Sequence, residues 1–426
     1  MASPITGHTS FNVNDPRTQK VWSKKFFKFM LENMLISTLI GTDGNSVVSQ
    51  VTDLSAGKGG SVVFELEAPL AGVGIGDNGR LIDGLGATSN TETLNDYNFT
   101  VYIHERANGV QQAGLTSNQY TATNVKTSGL RRLGVWAAEA VEDDIIRALS
   151  GVDNTDTTIA TVNQKNPTQN RYFAIGQLST TPWTVQYAQI DGTNTIAGAV
   201  TDNLPLAGFT ADATAVTYRF GTRVIEFLKR KAQEVITGTY GASGVKIPKL
   251  APVRDGGSDV YVCIISRLMM KSLRADTNWN ESQQSANVRG NTNPLFSGAA
   301  GIWDGVIIKV SERLQQRVGA GGVTSTEYFN IFETGAGEDA AASGVTVDRG
   351  LFCGSQAGVL AWGKMPTKSS SREDIDRLDA VAVSMIYGAS KTQFSNAVPN
   401  WTTDVVANTA TEDYGVICFD TVVDSD

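Results

Sequence analysis

Four places along the chain carry residues that could do chemistry. GIGDNG, Gly74 to Gly79, fits the G-x-G-x-x-G pattern of a dinucleotide-binding loop. CGSQAG, Cys353 to Gly358, puts Ser355 where a nucleophile elbow would hold its serine. Asp143 and Asp144 are adjacent carboxylates of the kind used in acid–base work, and His8 and His104 are the only imidazoles a zinc site or a triad could recruit.

Each candidate fails on its surroundings. A dinucleotide loop must leave a buried strand and open a helix, because the pyrophosphate rests on free N–H groups at the helix start. Pro69 breaks the run before GIGDNG, and RLIDGLGATSN after it has no helical stripe. Its glycines are therefore read as suppliers of positive φ and backbone freedom. The position two before Ser355 is Cys353, so G-x-S-x-G is not met, and neither H-E-x-x-H nor a Walker A sequence occurs. His104 reads as a strand residue with a polar partner, and the Asp143–Asp144 pair as a solvated helix face. Cys263, Cys353 and Cys418 lie far apart with no C-x-x-C spacing, which fits reduced, buried, apolar roles. No cofactor, metal or catalytic residue is expected, and a structural protein is favoured over an enzyme.

The elements that would position such groups mix helices and strands without βαβα alternation, so the expected class is α+β. NDPRTQKVWSKKFFKFMLENMLISTLIG predicts a helix with Asp15 as N-cap, Pro16 in the first position, Trp22, Phe26, Phe29 and Met30 on one side, and Gly41 as stop. From Met1 to Leu31 there are five basic residues, Arg17, Lys20, Lys24, Lys25 and Lys28, against one acid, Asp15, read as a solvated face with contact to a polyanion as the second reading. SVVFELEAPL and YNFTVYIHE predict two strands joined by a long flexible loop, with nine glycines between Gly57 and Gly86. LRRLGVWAAEAVEDDIIRALSG predicts a helix with Leu130, Leu133, Ala137, Ala140, Val141, Ile145 and Leu149 on one stripe and Gly151 closing it; its start could lie as early as Thr116. Residues 152–212 hold seven charged positions and read as an irregular or β-rich insertion exposed on a surface.

A third helix, TYRFGTRVIEFLKRKAQEV, has Val224, Phe227, Leu228 and Val235 on its apolar side and Gly238 as stop. VYVCII, GVIIKVS, YFNIF, LDAVAVSMIYG and YGVICFDTVV read as strands.

At 426 residues the chain exceeds one compact core, and a net charge of −8 argues against a protein that grips nucleic acid over most of its surface. The N-terminus lacks a signal-peptide profile, and no apolar run approaches a membrane span, so no membrane partner is expected.

Several stretches together are similar to one family. KVWSKKFFKFMLEN, GIGDNGRLIDG, VYVCIISRLMMKSLRAD followed by NTNPLFSGAAGIWDGVIIKVSERL, LFCGSQAGVLAWGK and EDYGVICFDTVV occur in the order found in major capsid proteins of tailed bacteriophages. The resemblance is to the family typified by N4-like podoviruses, with the Hong Kong-type (HK97-like) shell fold. It implies an N-terminal arm over 1–46, an extended E-loop hairpin over 47–112, the spine helix of a peripheral domain over 113–151, the insertion over 152–212, an axial domain over 213–364 and a return to the peripheral domain over 365–426.

Gly74, Gly76, Asp77, Asn78 and Arg80 would then lie on the E-loop, in contact with a neighbouring subunit, and Arg17, Lys20, Lys24, Lys25 and Lys28 on a basic arm inside the shell. The implied partners are copies of the chain as hexamers and pentamers, a scaffolding protein, a portal protein, a decoration or cement protein, and packaged double-stranded DNA in weak internal contact. The implied place is the virion, with assembly in the host cytoplasm and expansion of a precursor shell on maturation. Lys58 is the only lysine from Val47 to Val125 and lies near the loop base, so no lysine cross-link between subunits is expected. An encapsulin-type nanocompartment of the same fold is the alternative, ahead of a tail or decoration protein and of an enzyme.

Overall fold

The computed structural model describes residues 35–52, 61–67, 96–111, 125–150, 172–178, 185–189, 218–234, 236–237, 246–247, 249–255, 257–287, 301–311, 314, 346–373, 378–395 and 411–423. GIGDNG, the basic arm residues, His8, YFNIF, NTNPLFSG, Val235 and Gly238 lie outside them.

Strands β1 (Val48–Val51), β2 (Ser61–Glu67), β3 (Asp96–Tyr102) and β4 (His104–Gln111) precede the long helix α1 (Val125–Leu149). The stripe that predicts α1 is the face it buries: Leu133, Ala137, Ala140, Val141, Ile145 and Leu149 are buried, and Leu130 packs at the margin. Gly41, expected to stop a helix, instead pairs with Ser49 in a short parallel ladder that follows a 3-10 turn over Leu35–Leu39.

After α1 come β5 (Tyr172–Leu178), β6 (Val185–Gln189), α2 (Thr222–Gln233) and β7 (Ser258–Ile265). Next are α3 (Arg267–Arg274), α4 (Thr277–Asn287) and β8 (Val306–Val310). The chain closes with β9 (Thr346–Cys353), β10 (Gly358–Glu373), β11 (Leu378–Lys391) and β12 (Val416–Val423).

Two sheets share α1 between them. A five-stranded sheet runs Ile40–Gly41, β1, β10, β11, β4; β10 and β11 form a long antiparallel hairpin flanked by parallel β1 and antiparallel β4. A nine-stranded sheet runs Gly301–Trp303, β8, β7, β9, β12, Tyr218–Arg219, β5, β6, with Val253–Asp255 paired to β7. Alternation along its central strands is explained by burial on both faces. Val262, Ile264, Leu351, Cys353, Val416 and Cys418 join the cluster around α1, which also holds Leu360, Trp362, Val383 and Met385 of the five-stranded sheet. Cys263, Ile265, Phe352, Ile417 and Phe419 point the other way, onto Val224, Phe227 and Leu228 of α2 and Met269 and Leu273 of α3.

One expectation is corrected. Residues 152–212 are not wholly a surface insertion: β5 pairs in parallel with the central strand β12, and its Phe173, Ile175 and Gln177 are buried. β10 continues as strand through register shifts around Lys364. The closing strand β12 pairs with β9 over eight residues in the larger sheet.

Helices α3 and α4 were missed by periodicity because α3 is short and follows directly on β7. Ser266 starts it, accepting from the Met269 N–H at 3.1 Å and donating to the buried Asp348 carboxylate. The N-terminus of α2 is capped from a distance: Asp276 Oδ2 accepts from the Thr222 N–H and hydroxyl, both at 2.8 Å, and Gln177 Oε1 from the Arg223 N–H at 3.1 Å.

All three cysteines are free and buried, as expected from their spacing. Burial pushes the Cys263 and Cys353 thiols far up, which keeps them protonated and unreactive. Ellman's reagent at pH 8 should therefore find no thiol in the folded protein and three after unfolding in guanidinium. Prompt reaction before unfolding would contradict this packing.

Candidate functional site

Among the described residues, those singled out for catalysis are not assembled into a site. Ser355 is buried in the turn between β9 and β10, and its N–H donates to Ala251 O at 2.7 Å. Gln356 beside it holds a φ of 53°, and its N–H donates to Ser46 O at 2.8 Å, so the turn is a structural joint between segments. His104 is exposed at the first residue of β4. No group of three or more His, Cys, Asp or Glu that could hold a metal occurs among the described residues, and no described helix is long and apolar enough to cross a membrane.

What is built is a two-stranded ribbon and its root. β2 and β3 pair antiparallel from Ser61↔Tyr102 to Glu67↔Asp96, as the alternating sequence predicts, and form a two-stranded sheet of their own. A ribbon of two strands is marginal in water and needs a packed base. That base is Val101, Val359 and Ala361, with Val51, Val62, Phe64 and Ile103 around them. Period two then sends Val63 outward, where it stays 57% exposed, an apolar side chain at the surface of the ribbon.

Ile103 carries β3 directly into β4, so the ribbon is continuous with the five-stranded sheet. At the crossing, Gly388 of β11 lies so close that a Cβ there would meet Tyr102 O at 2.0 Å.

Below the root, β4, α1 and β11 are tied by one buried carboxylate. Arg106 Nη2 donates to Asp144 Oδ1 at 2.9 Å, and the Tyr387 hydroxyl donates to Asp144 Oδ2. Asp144 is 1% exposed, so the solvated reading of this acid is wrong: α1 turns it inward. Burial, then the Asp144 charge, push the Tyr387 hydroxyl well above the usual phenol range, so it serves as a donor throughout the working pH range. Trp362 packs against Tyr387 with ring centroids 5.4 Å apart. A second buried pair, Lys391 Nζ to Asp413 Oδ1 at 3.0 Å, joins the end of β11 to the segment before β12. Local sequence signals neither pair, because Asp144 meets residues 38 and 243 positions away.

A ribbon, its root and a two-sheet body are what the described residues build, and the sequence matches a known family. The model for phage capsid proteins matches residues 10–425. The chain belongs to the phage capsid protein family. It is 26% identical over 425 residues to the major capsid protein of Pseudomonas phage KPP25, covering 98% of each chain. Among solved structures it is similar to the capsid of Ralstonia phage GP4, with 23% identity, 98% and 99% of the two chains covered and a TM-score of 0.58. It is also similar to the capsid of cyanophage Pam1, with 20% identity, 93% and 94% covered and a TM-score of 0.62.

The α+β fold is that of tailed-phage, HK97-like capsid proteins. The capsid protein is thus a structural subunit of a phage shell assembled from copies of itself, a component of the virion and not an enzyme. These matches favour a phage shell over a nanocompartment.

Proposed function

We propose that this capsid protein assembles as hexamers and pentamers around a scaffolding protein into a precursor shell, and that the shell expands as double-stranded DNA is packaged through a portal protein at one vertex. The observation that carries this reading is the ribbon of β2 and β3, a two-stranded sheet of its own packed on Val101, Val359 and Ala361, with Val63 exposed. In this reading the ribbon is the E-loop, and Gly74, Gly76, Asp77, Asn78 and Arg80 reach the neighbouring subunit.

Helix α1 is the spine of the peripheral domain, and most of the nine-stranded sheet forms the axial domain. The arm with Arg17, Lys20, Lys24, Lys25 and Lys28 lies inside, and a decoration or cement protein binds outside. Assembly takes place in the host cytoplasm. Each interface is modest, and closure of the lattice makes them act together, so individually weak contacts hold a stable container.

Electron microscopy of the chain expressed alone, and then with the neighbouring genes of its locus, tests this. Closed shells or ordered capsomers are expected, and the boiled particles should run on a denaturing gel as single chains. A lone 45.4 kDa species under both conditions would overturn the assembly reading, and heavier bands would overturn the absence of cross-links.

A further inference from the structure

We infer that the place where residues 354–358 meet four other segments is a rigid node that makes the two sheets one body, so that the capsid protein does not bend between them. The inference stands apart from the assembly reading, because it concerns the single folded chain.

The chain passes between the sheets twice, side by side. β9 of the larger sheet leads through residues 354–357 into β10 of the smaller one, and β11 leaves the smaller sheet at Thr392 and returns at Gly415 to β12 of the larger. Two separate passages would leave a hinge. Here they are bonded to each other: the Gly354 N–H donates to Gly415 O at 2.9 Å, the Thr392 N–H to Ala357 O at 3.1 Å and the Tyr414 N–H to Thr392 O at 3.0 Å. The buried Lys391–Asp413 ion pair closes the same spot.

A third link comes from the loop before β1. Ser46 O accepts from the Gln356 N–H at 2.8 Å and Val47 O from the Gly358 N–H at 3.2 Å, while the Ser355 N–H reaches Ala251 O at 2.7 Å. Asn45 bridges from this loop to Val253–Asp255, the strand paired with β7. Its Nδ2 donates to Arg254 O and its Oδ1 accepts from the Arg254 N–H, both at 2.7 Å, so the amide side chain stands in for a strand residue.

A hinge turns by changing φ and ψ at a few residues. Four N–H groups of residues 354–358 are donated to three other segments and Ala357 O accepts from a fourth, so turning any of these torsions breaks bonds. The backbones are also in contact already. A Cβ on Gly415 would lie 2.5 Å from Ala357 Cα, and one on Gly354 would lie 2.4 Å from Ala251 O. Gln356 keeps its φ of 53°, which a residue other than glycine holds only where its surroundings over-determine it. Bending is thereby displaced along β10, to the register shifts between Trp362 and Thr367.

Hydrogen exchange of the full-length, unassembled chain, resolved to single amides by electron-transfer fragmentation at rising but sub-denaturing guanidinium, tests this. Leu351 and Phe419 lie in strands paired on both sides and report the core. The amides of Gly354, Ser355, Gln356, Gly358 and Thr392 should match their protection to within about tenfold and share their denaturant dependence. Asn45→Ala should lower protection at both sets by the same factor. Faster exchange confined to the node, in either protein, is a local opening and overturns the inference.

A second measurement does not depend on that variant. Spin labels on Ala107→Cys, exposed on β4, and Arg274→Cys, exposed at the end of α3, should give one narrow distance by pulsed electron–electron double resonance, the native thiols being buried. Two distances, or a spread wider than the labels' own rotamers produce, overturn the rigid node. Both readouts use single chains, so they stand whether or not shells form.

Discussion

Asp144→Ala lowers the stability of the unassembled capsid protein by about 3 kcal/mol, the low end of what removing one partner of a buried ion pair costs. The low end applies because Arg106 keeps 25% exposure and regains some hydration, while the carboxylate itself is 1% exposed. Two donors lose their acceptor at once, the Arg106 guanidinium and the Tyr387 hydroxyl, and they belong to the paired strands β4 and β11. Tyr387→Phe removes one hydrogen bond to a charged group and leaves the ion pair, so it costs about 1.5 to 3 kcal/mol. Glu139→Ala, on the exposed side of α1, stays within about 0.5 kcal/mol of wild type. Guanidinium unfolding midpoints check the order. Equal midpoints for Asp144→Ala and Glu139→Ala would show that the carboxylate does not hold the ribbon root to the helix.

Gly388→Ala disrupts the crossing of β3 over β11 and costs about 3 kcal/mol or more, the upper range for overpacking. The added Cβ would lie 2.0 Å from Tyr102 O and 3.0 Å from its carbonyl carbon, and both are backbone atoms that no side-chain rotation can move aside. Relief requires shifting β3 away from β11, which opens the cluster of Val101, Val359 and Ala361 and frees the ribbon from its base. Shell assembly should fail before the body unfolds, because a two-stranded ribbon is marginal in water and depends on its packed base. Gly129→Ala is the matched control. Its Cβ meets the Val110 side chain at 3.4 Å, an ordinary contact, and alanine favours helix by up to about 1 kcal/mol. Melting curves and electron microscopy of both variants decide it; normal shells from Gly388→Ala would mean the crossing is not rigid.

Much of the frame was legible in the sequence because its signals are local. The stripe of α1, the alternation of β2 and β3 and the apolar roles of the cysteines each follow from neighbours a few positions apart. The parts that were not legible depend on distant partners. β5 lies in a stretch rich in Thr and Asn, and only its pairing with β12, 246 residues later, turns Phe173 and Ile175 into core. Asp144 is indistinguishable from Asp143 in sequence; rotation by one position on α1 sends it inward to Arg106 and Tyr387.

The hairpin of β10 and β11 resists force unequally in different directions. Its rungs run from Gly358↔Lys391 to Glu373↔Leu378, and ladder bonds lie perpendicular to the strands. Tension along the strands is shared by all the rungs in shear, whereas tension across them falls on the last rung alone and peels the ladder open. β4 pairs alongside β11 from His104 to Gln111, so a tug on the ribbon enters the body lengthwise, in the direction in which the ladder is strongest. The register shifts between Trp362 and Thr367 leave a compliant joint within an otherwise stiff beam. A pull that reaches this ladder through β4 therefore loads it like rope and not like a zip.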